Sequence, residues 1–187
     1  IPVAHIQGGE VSGTIDESLR HAMSKFSNFH FTATEETKKR LIKMGEIKGN
    51  IYTVGCPSID ALKQEEDENP NKIKKKFNID ITKDYILIIQ HPVTSELKKT
   101  NKQFIETIEA LKKFKMQKLF VFPNNDAGSI KIINLIKKYK FNYCKTLSLK
   151  EYKSLLKNSS ALVGNSSSGI HEAATYKIPV INIGTRQ

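Results

Sequence analysis

The chain has 187 residues, 39% hydrophobic and 26% charged, with a formal net charge of +11, enough for one domain or two small α/β lobes with a sizeable core. No apolar run approaches the length of a membrane span and no signal peptide opens the sequence, so a cytoplasmic protein without a membrane partner is expected. The positive balance raises nucleic acid as a partner, but the lysines are spread along outward helix faces without interleaved aromatics, so solvated surface is expected and no nucleic-acid partner.

In chain order, Ile1–Gln7 is an apolar run suited to a buried strand, and Gly8 and Gly9 let the backbone turn tightly after it. Asp16–Phe29 has helical periodicity, with Leu19, Met23 and Phe26 on one face. Phe29–Thr32 reads as a strand, Glu35–Met44 as a helix and Ile51–Val54 as a strand. A short helix around Ile59–Lys63 runs into QEEDENPNKIKKK, polar and broken by Pro70, which reads as a linker. Alternation then resumes with strand Tyr85–Gln90, helix Asn101–Phe114, strand Lys118–Phe122, helix Ser129–Tyr139 and helix Lys150–Lys157. Strand Ala161–Gly164, helix Ile170–Tyr176 and strand Val180–Ile183 complete it. The expectation is an α/β protein with parallel sheets in two Rossmann-like lobes: residues 1–62, a linker 63–83, and residues 84–187. Cys56 and Cys144 lack metal-ligand spacing and read as ordinary residues of a reducing compartment; no metal is expected.

Polar segments fall at predicted strand ends, where ligands collect in doubly wound sheets: HIQGGE at 5–10, HPVTSE at 91–96, FPNNDAGS at 122–129 and GNSSSG at 164–169. Ser166, Ser167 and Ser168 precede a helix, so hydroxyls and free N–H groups there fit either a phosphate or an ordinary N-cap. Glu172, one turn on, makes better sense reaching a ribose hydroxyl than a phosphate. His91, held between a strand and Pro92, reads as a phosphate donor, a proton-transfer group or a satisfied loop histidine. Asn124 offers an amide to a nucleotide, and Asp126 is placed to cap the next helix. Gly13, Thr14 and Ile15 lead from the first segment to Asp16 and Arg20. These two share a helix face at i, i+4, as a functional pair or as a cap with a surface ion pair. His21 is open between packing and substrate contact.

Together HIQGGEVSGTIDESLRHAMSK, GCPSID, QHPVTSE, FPNNDAGS and GNSSSGIHEAATYKIPVINIGTRQ, in this order, closely resemble the hydrolysing UDP-N-acetylglucosamine 2-epimerases over essentially the whole chain. These include bacterial sialic-acid biosynthesis enzymes and the epimerase half of the animal bifunctional enzyme. The resemblance implies the two-lobed glycosyltransferase-B architecture with UDP-sugar held between the lobes. It implies cleavage of UDP-N-acetylglucosamine with inversion at C2, through elimination of UDP to a glycal and addition of water, with no cofactor. Such chemistry needs carboxylates near C1 and C2 and donors on the departing diphosphate. By the resemblance Asp16 is the leading acid/base carboxylate and Glu10 a second. His91 contacts the diphosphate or assists departure of UDP, Ser166 and Ser167 bind phosphate, Glu172 the ribose and Asn124 the nucleotide. Arg20 joins the substrate pocket and Arg186 completes the nucleotide pocket.

Non-hydrolysing relatives carry glutamate in a His-x-Glu-Ala-Gly motif where this chain has Gln7; an amide is no base at neutral pH, so Gln7 is assigned to binding. The chain begins with Ile1 inside an apolar run and stops at Gln187 just after a strand, which reads as a fragment. The resemblance implies further N-terminal and C-terminal segments, a dimer or tetramer, and no catalysis by these residues alone. The rivals are the sister epimerase acting on UDP-2,4-diacetamido-2,4,6-trideoxyglucose in legionaminic-acid synthesis and, from other classes, a UDP-sugar glycosyltransferase and a basic nucleic-acid binder.

Overall fold

The computed structural model describes residues 1–11 and 15–187; Gly13 and Thr14 and the Ile15 side chain, expected to lead into the first helix, lie outside the described residues. The chain divides into two compact units, Ile1–Asp60 and Ala61–Gln187. The first contains β1 (Ala4–Ile6), α1 (Ile15–Lys25), β2 (Phe29–Thr32), α2 (Glu35–Lys43) and β3 (Ile51–Thr53), its strands forming a parallel sheet in the order β1-β2-β3. Thr34 starts α2 with a capping box shared with Thr37, which satisfies N–H groups that a helix start leaves unpaired. The interior is unusually polar. Beside Leu41 and Ile51 it buries His5, Ser24, His30, Thr32 and Thr37.

Each of these residues has a polar partner, although His30 Nδ1 is buried without one. His5 Nδ1 shares a 3.0 Å hydrogen bond with Ser24 Oγ, and His30 Nε2 lies 3.2 Å from Glu46 Oε2. Lys25 Nζ reaches the other oxygen of Glu46 at 2.8 Å. Helix α1 therefore turns its Ser24 side inward, and Leu19, Met23 and Phe26, which share one face, are exposed. Helical periodicity locates an apolar face; it does not say what covers that face.

Helix α3 (Pro57–Gln64) contains the division between the units. The second unit continues with α4 (Pro70–Phe77), β4 (Tyr85–Ile89), α5 (Thr100–Lys112), β5 (Gln117–Val121), α6 (Ser129–Lys138), β6 (Asn142–Cys144), α7 (Leu149–Lys157), β7 (Ala161–Gly164), α8 (Glu172–Thr175) and β8 (Val180–Asn182). All its paired strands are parallel, in the order β6-β5-β4-β7-β8. The central strand β4 is buried along its length and divides its side chains between two layers. Tyr85, Leu87 and Ile89 face Ile73, Phe77, Leu155 and Leu156, while Ile86 and Ile88 face Phe104, Ile108, Ile132 and Ile136. Alternation with both faces covered is what a parallel strand requires. On the second face an apolar trench of about 650 Å³ is walled by Leu111 of α5, by Phe114 just after that helix and by Val163, Ile181 and Ile183; the polar strand-end loops do not line it.

The expected linker, 63–83, is instead part of the second unit. Asn69 caps α4 by accepting from Asn71 N–H, Pro70 opens the helix, and Ile73, Phe77, Ile79 and Ile81 enter the core. The lysines around them gave this stretch a polar composition that concealed its apolar stripe. The acidic run before it is clasped by α7: Lys150 reaches Glu66 at 2.9 Å, Lys157 reaches Asp67 at 2.7 Å, and Glu68 N–H donates to the buried Ser154 hydroxyl at 2.7 Å.

Candidate functional site

From β4 the chain steps outward to β5 and β6, then returns through α7 to place β7 on the other side of β4. Such a reversal leaves a crevice at the carboxyl ends of the two adjacent strands. Gly164 closes the join. It has φ of 147°, and a Cβ there would lie 1.9 Å from the Ile89 carbonyl oxygen. Only glycine lets β7 end this close to β4.

His91, 6% exposed, and Asn165, 2% exposed, bind across this join. His91 N–H donates to Asn165 Oδ1 at 2.7 Å, and Asn165 Nδ2 donates to the His91 carbonyl at 2.9 Å. From the end of β5, Asn124 N–H donates to His91 Nδ1 at 3.1 Å. A backbone N–H is always a donor, so Nδ1 must be the bare nitrogen and the proton of the neutral ring sits on Nε2. Burial and then the Arg186 charge push the His91 pKa down to about 4, against a smaller opposing pull from Asp126. Arg186 is itself held, Nη1 donating to the Asn165 carbonyl at 3.2 Å and Nη2 lying 3.8 Å from Asp126 Oδ2. Asp126 thus faces Arg186, and its expected capping role is not what its carboxylate does: Gly128 occupies the N-cap of α6 with no side-chain cap. The Asn124 side chain is exposed.

Beyond Asn165, Ser167–Gly169 form a single 3-10 turn and α8 is only one turn long, so the expected helix from Ile170 is much shorter. Ser166 does cap this turn, accepting from Ser168 N–H at 3.3 Å and donating to Ser168 Oγ at 3.1 Å. Ser167 is exposed and Ser166 half-buried. Glu172 Oε2 is buried without a hydrogen-bond partner. His91, Asn124, Ser166, Ser167, Glu172 and Arg186 therefore belong to one unit, with His91, Asn124 and Arg186 joined by hydrogen bonds through Asn165 or directly.

The other candidates belong to the first unit. Gln7 follows β1 with φ of 60° and donates from Nε2 to Cys56 Sγ at 2.9 Å. Glu10 is half-buried in the loop after Gly9, whose carbonyl accepts from Arg40. Asp16 and Arg20 lie one turn apart on α1, Asp16 exposed and Arg20 half-buried. Burial, then His30 and to a lesser degree the Arg20 charge, lower the pKa of His5, so Arg20 sits close to β1. His21 lies 3.6 Å from Glu17.

Sequence reasoning missed Asn165. Its signal was an asparagine directly between a strand-ending glycine and a polar turn, but the motif read as hydroxyls and the amide went unassigned. Among the described residues no cluster of His, Cys, Asp or Glu is arranged to hold a metal ion, and no helix is long and apolar enough to cross a membrane.

The chain matches the UDP-N-acetylglucosamine 2-epimerase family over residues 1–187. It is 40% identical to a hydrolysing UDP-N,N'-diacetylbacillosamine 2-epimerase of Legionella pneumophila, over 100% of this chain and 51% of the relative. It is 35% identical to a UDP-N-acetylglucosamine 2-epimerase of Neisseria meningitidis, over 99% of this chain and 50% of the relative. It thus spans about half the length of these curated relatives. The fold is shared with the Neisseria meningitidis UDP-GlcNAc 2-epimerase structure bound to UDP-GlcNAc (TM-score 0.78, 20% identity, 97% of this chain and 53% of that one). It is also shared with that of Methanocaldococcus jannaschii in complex with UDP-GlcNAc and UDP (TM-score 0.77, 24% identity, 97% and 53%). With an α/β fold of parallel sheets of the glycosyltransferase-B type, the polar crevice where β4 meets β7, and a family match along its whole length, the chain belongs to the UDP-N-acetylglucosamine 2-epimerases.

Proposed function

We propose that the polypeptide carrying this chain is a hydrolysing 2-epimerase that converts UDP-N-acetylglucosamine to N-acetylmannosamine and UDP, for sialic-acid synthesis. The observation that carries the reading is the crevice between β4 and β7. There His91 is held as a neutral ring with its proton on Nε2, beside the half-buried Arg186 guanidinium and the serine turn. A neutral N–H donor and a fixed cation stabilise negative charge growing on a departing diphosphate without first having to lose or gain a proton. Ser166 and Ser167 bind phosphate oxygens, Asn124 the nucleotide and Glu172 the ribose hydroxyls.

The reaction begins with removal of the proton on C2 by a carboxylate. The C2 electron pair forms the C1–C2 double bond as the C1–O bond breaks, and UDP leaves with the bonding electrons. Water then adds its oxygen to C1, and a proton reaches C2 from the face opposite the one that lost it. Asp16 is assigned the leading acid/base role and Glu10 the second, with Gln7 and Arg20 binding substrate. Gln7 has an amide where a base would need a carboxylate, and the 40% identical relative is named as hydrolysing, both of which support hydrolysis over simple epimerisation.

That same relative supports a second reading, in which the substrate is UDP-N,N'-diacetylbacillosamine. The test is to incubate full-length protein with each UDP-sugar separately in deuterated water. The proposal expects free N-acetylmannosamine, deuterated at C2, with stoichiometric UDP. Turnover confined to the diacetamido sugar favours the second reading. A UDP-linked product, or UDP release only with an added acceptor, overturns both.

A further inference from the structure

We propose that Tyr152 positions the Glu172 carboxylate, its hydroxyl donating to Glu172 Oε2 in the nucleotide complex so that the other carboxylate oxygen is turned toward the ribose. This rests on the assignment of Glu172 to the ribose. Tyr152 lies on α7, and its ring packs in the core layer that contains Leu155, Leu156 and Ala173, the residue following Glu172. Its phenolic oxygen is buried without a hydrogen-bond partner, and so is Glu172 Oε2. One atom is a donor and the other an acceptor, so a single contact would satisfy two buried polar groups that otherwise each carry a desolvation penalty.

The polar neighbours of the Tyr152 hydroxyl fit this role. Burial dominates in keeping the phenol protonated; the neighbouring Ser168 hydroxyl, with which it can hydrogen-bond, opposes this, and the Glu172 carboxylate and the Tyr176 phenol add to it through charge. Ser168 is already engaged through Ser166, which donates to its oxygen at 3.1 Å and accepts from its N–H at 3.3 Å. Ser168 keeps a second acceptor site and competes for the phenol, but Glu172 Oε2 is the charged acceptor beside it that is buried without a partner. The amphipathic helix α7 is itself anchored, with Ser154 accepting from Glu68 N–H at 2.7 Å and Ser148 capping its start. A phenol fixed on such a helix can hold a carboxylate in one rotamer.

The test compares UDP with 2′,3′-dideoxy-UDP on full-length protein by calorimetric titration. Wild type is expected to bind UDP the more tightly. In Tyr152→Phe, UDP affinity should fall about tenfold, as for loss of a hydrogen bond to a charged group, while affinity for the dideoxy ligand is unchanged. Equal weakening of both ligands indicates a structural role and overturns the proposal, as does unchanged UDP affinity. Wild type that fails to distinguish the two ligands overturns the ribose assignment of Glu172, and the proposal with it. Independently of any variant, a wild-type structure with UDP should show the Tyr152 hydroxyl within hydrogen-bond distance of Glu172; a complex in which they stay apart overturns it.

Discussion

At the scale of single residues, His91 is defined by what surrounds it. Its Nδ1 accepts from Asn124 N–H, and its pKa is about 4 where an ordinary histidine has 6.5. Over the pH range in which an ordinary histidine titrates, this ring stays neutral, so kcat/KM for the full-length protein should show no ionisation near pH 6.5 due to His91. The same shift links folding to pH. The unfolded chain takes up a proton on this residue below about 6.5 while the folded chain does not until about 4. Stability contributed by the neutral ring is therefore complete above pH 6.5 and lost as pH falls to 4, a change on the order of 3 kcal/mol. His5, lowered in the same direction by burial, adds to the slope. Urea titrations at stepped pH should show a flatter dependence in His91→Gln than in wild type, and identical slopes would contradict this account.

At the scale of elements, the strands of the second unit were legible because apolar runs such as Tyr85–Ile89 leave little alternative to a doubly covered strand. Helix α4 was not, because a lysine-rich outer face outweighs two core residues in any reading by composition, and only Asn69 and Pro70 marked its start. β6, three residues long, offered too short a pattern to read. In the site, His91, Asn124 and the serines could be read from their positions at strand ends. The Asn165 clasp could not, since its partner lies 74 residues away. The join it spans is set by Gly164, and Gly164→Ala places a methyl 1.9 Å from the Ile89 carbonyl oxygen. Such an overlap requires the strand ends to separate. A loss of about 3 kcal/mol or more is expected, measured as the shift in the urea midpoint. A variant as stable as wild type would mean that β7 can end elsewhere.

At the scale of the whole chain, the two compact units differ in what fills them. The first buries Leu41 and Ile51 among histidines, serine and threonines, whereas the second has two apolar layers on either side of β4. Burial of apolar area dominates stability, and polar pairs contribute little net. In the 187-residue chain, amide hydrogen exchange should therefore be faster in β1, β2 and β3 than in β4, β5 and β7, and the reverse order would show the polar pairs to be the stronger cement.

The strand order carries one more consequence, for biosynthesis. Because β7 inserts beside β4 only after β5, β6 and three helices have intervened, His91 leaves the ribosome 74 positions ahead of the asparagine that will grip it. Closing so long a loop is slow compared with forming neighbouring helices, and the nascent chain carries β4 with one edge unpaired throughout that interval. The crevice between β4 and β7 is a late product of folding, and until it closes the newly made chain has an open strand edge for other chains to join.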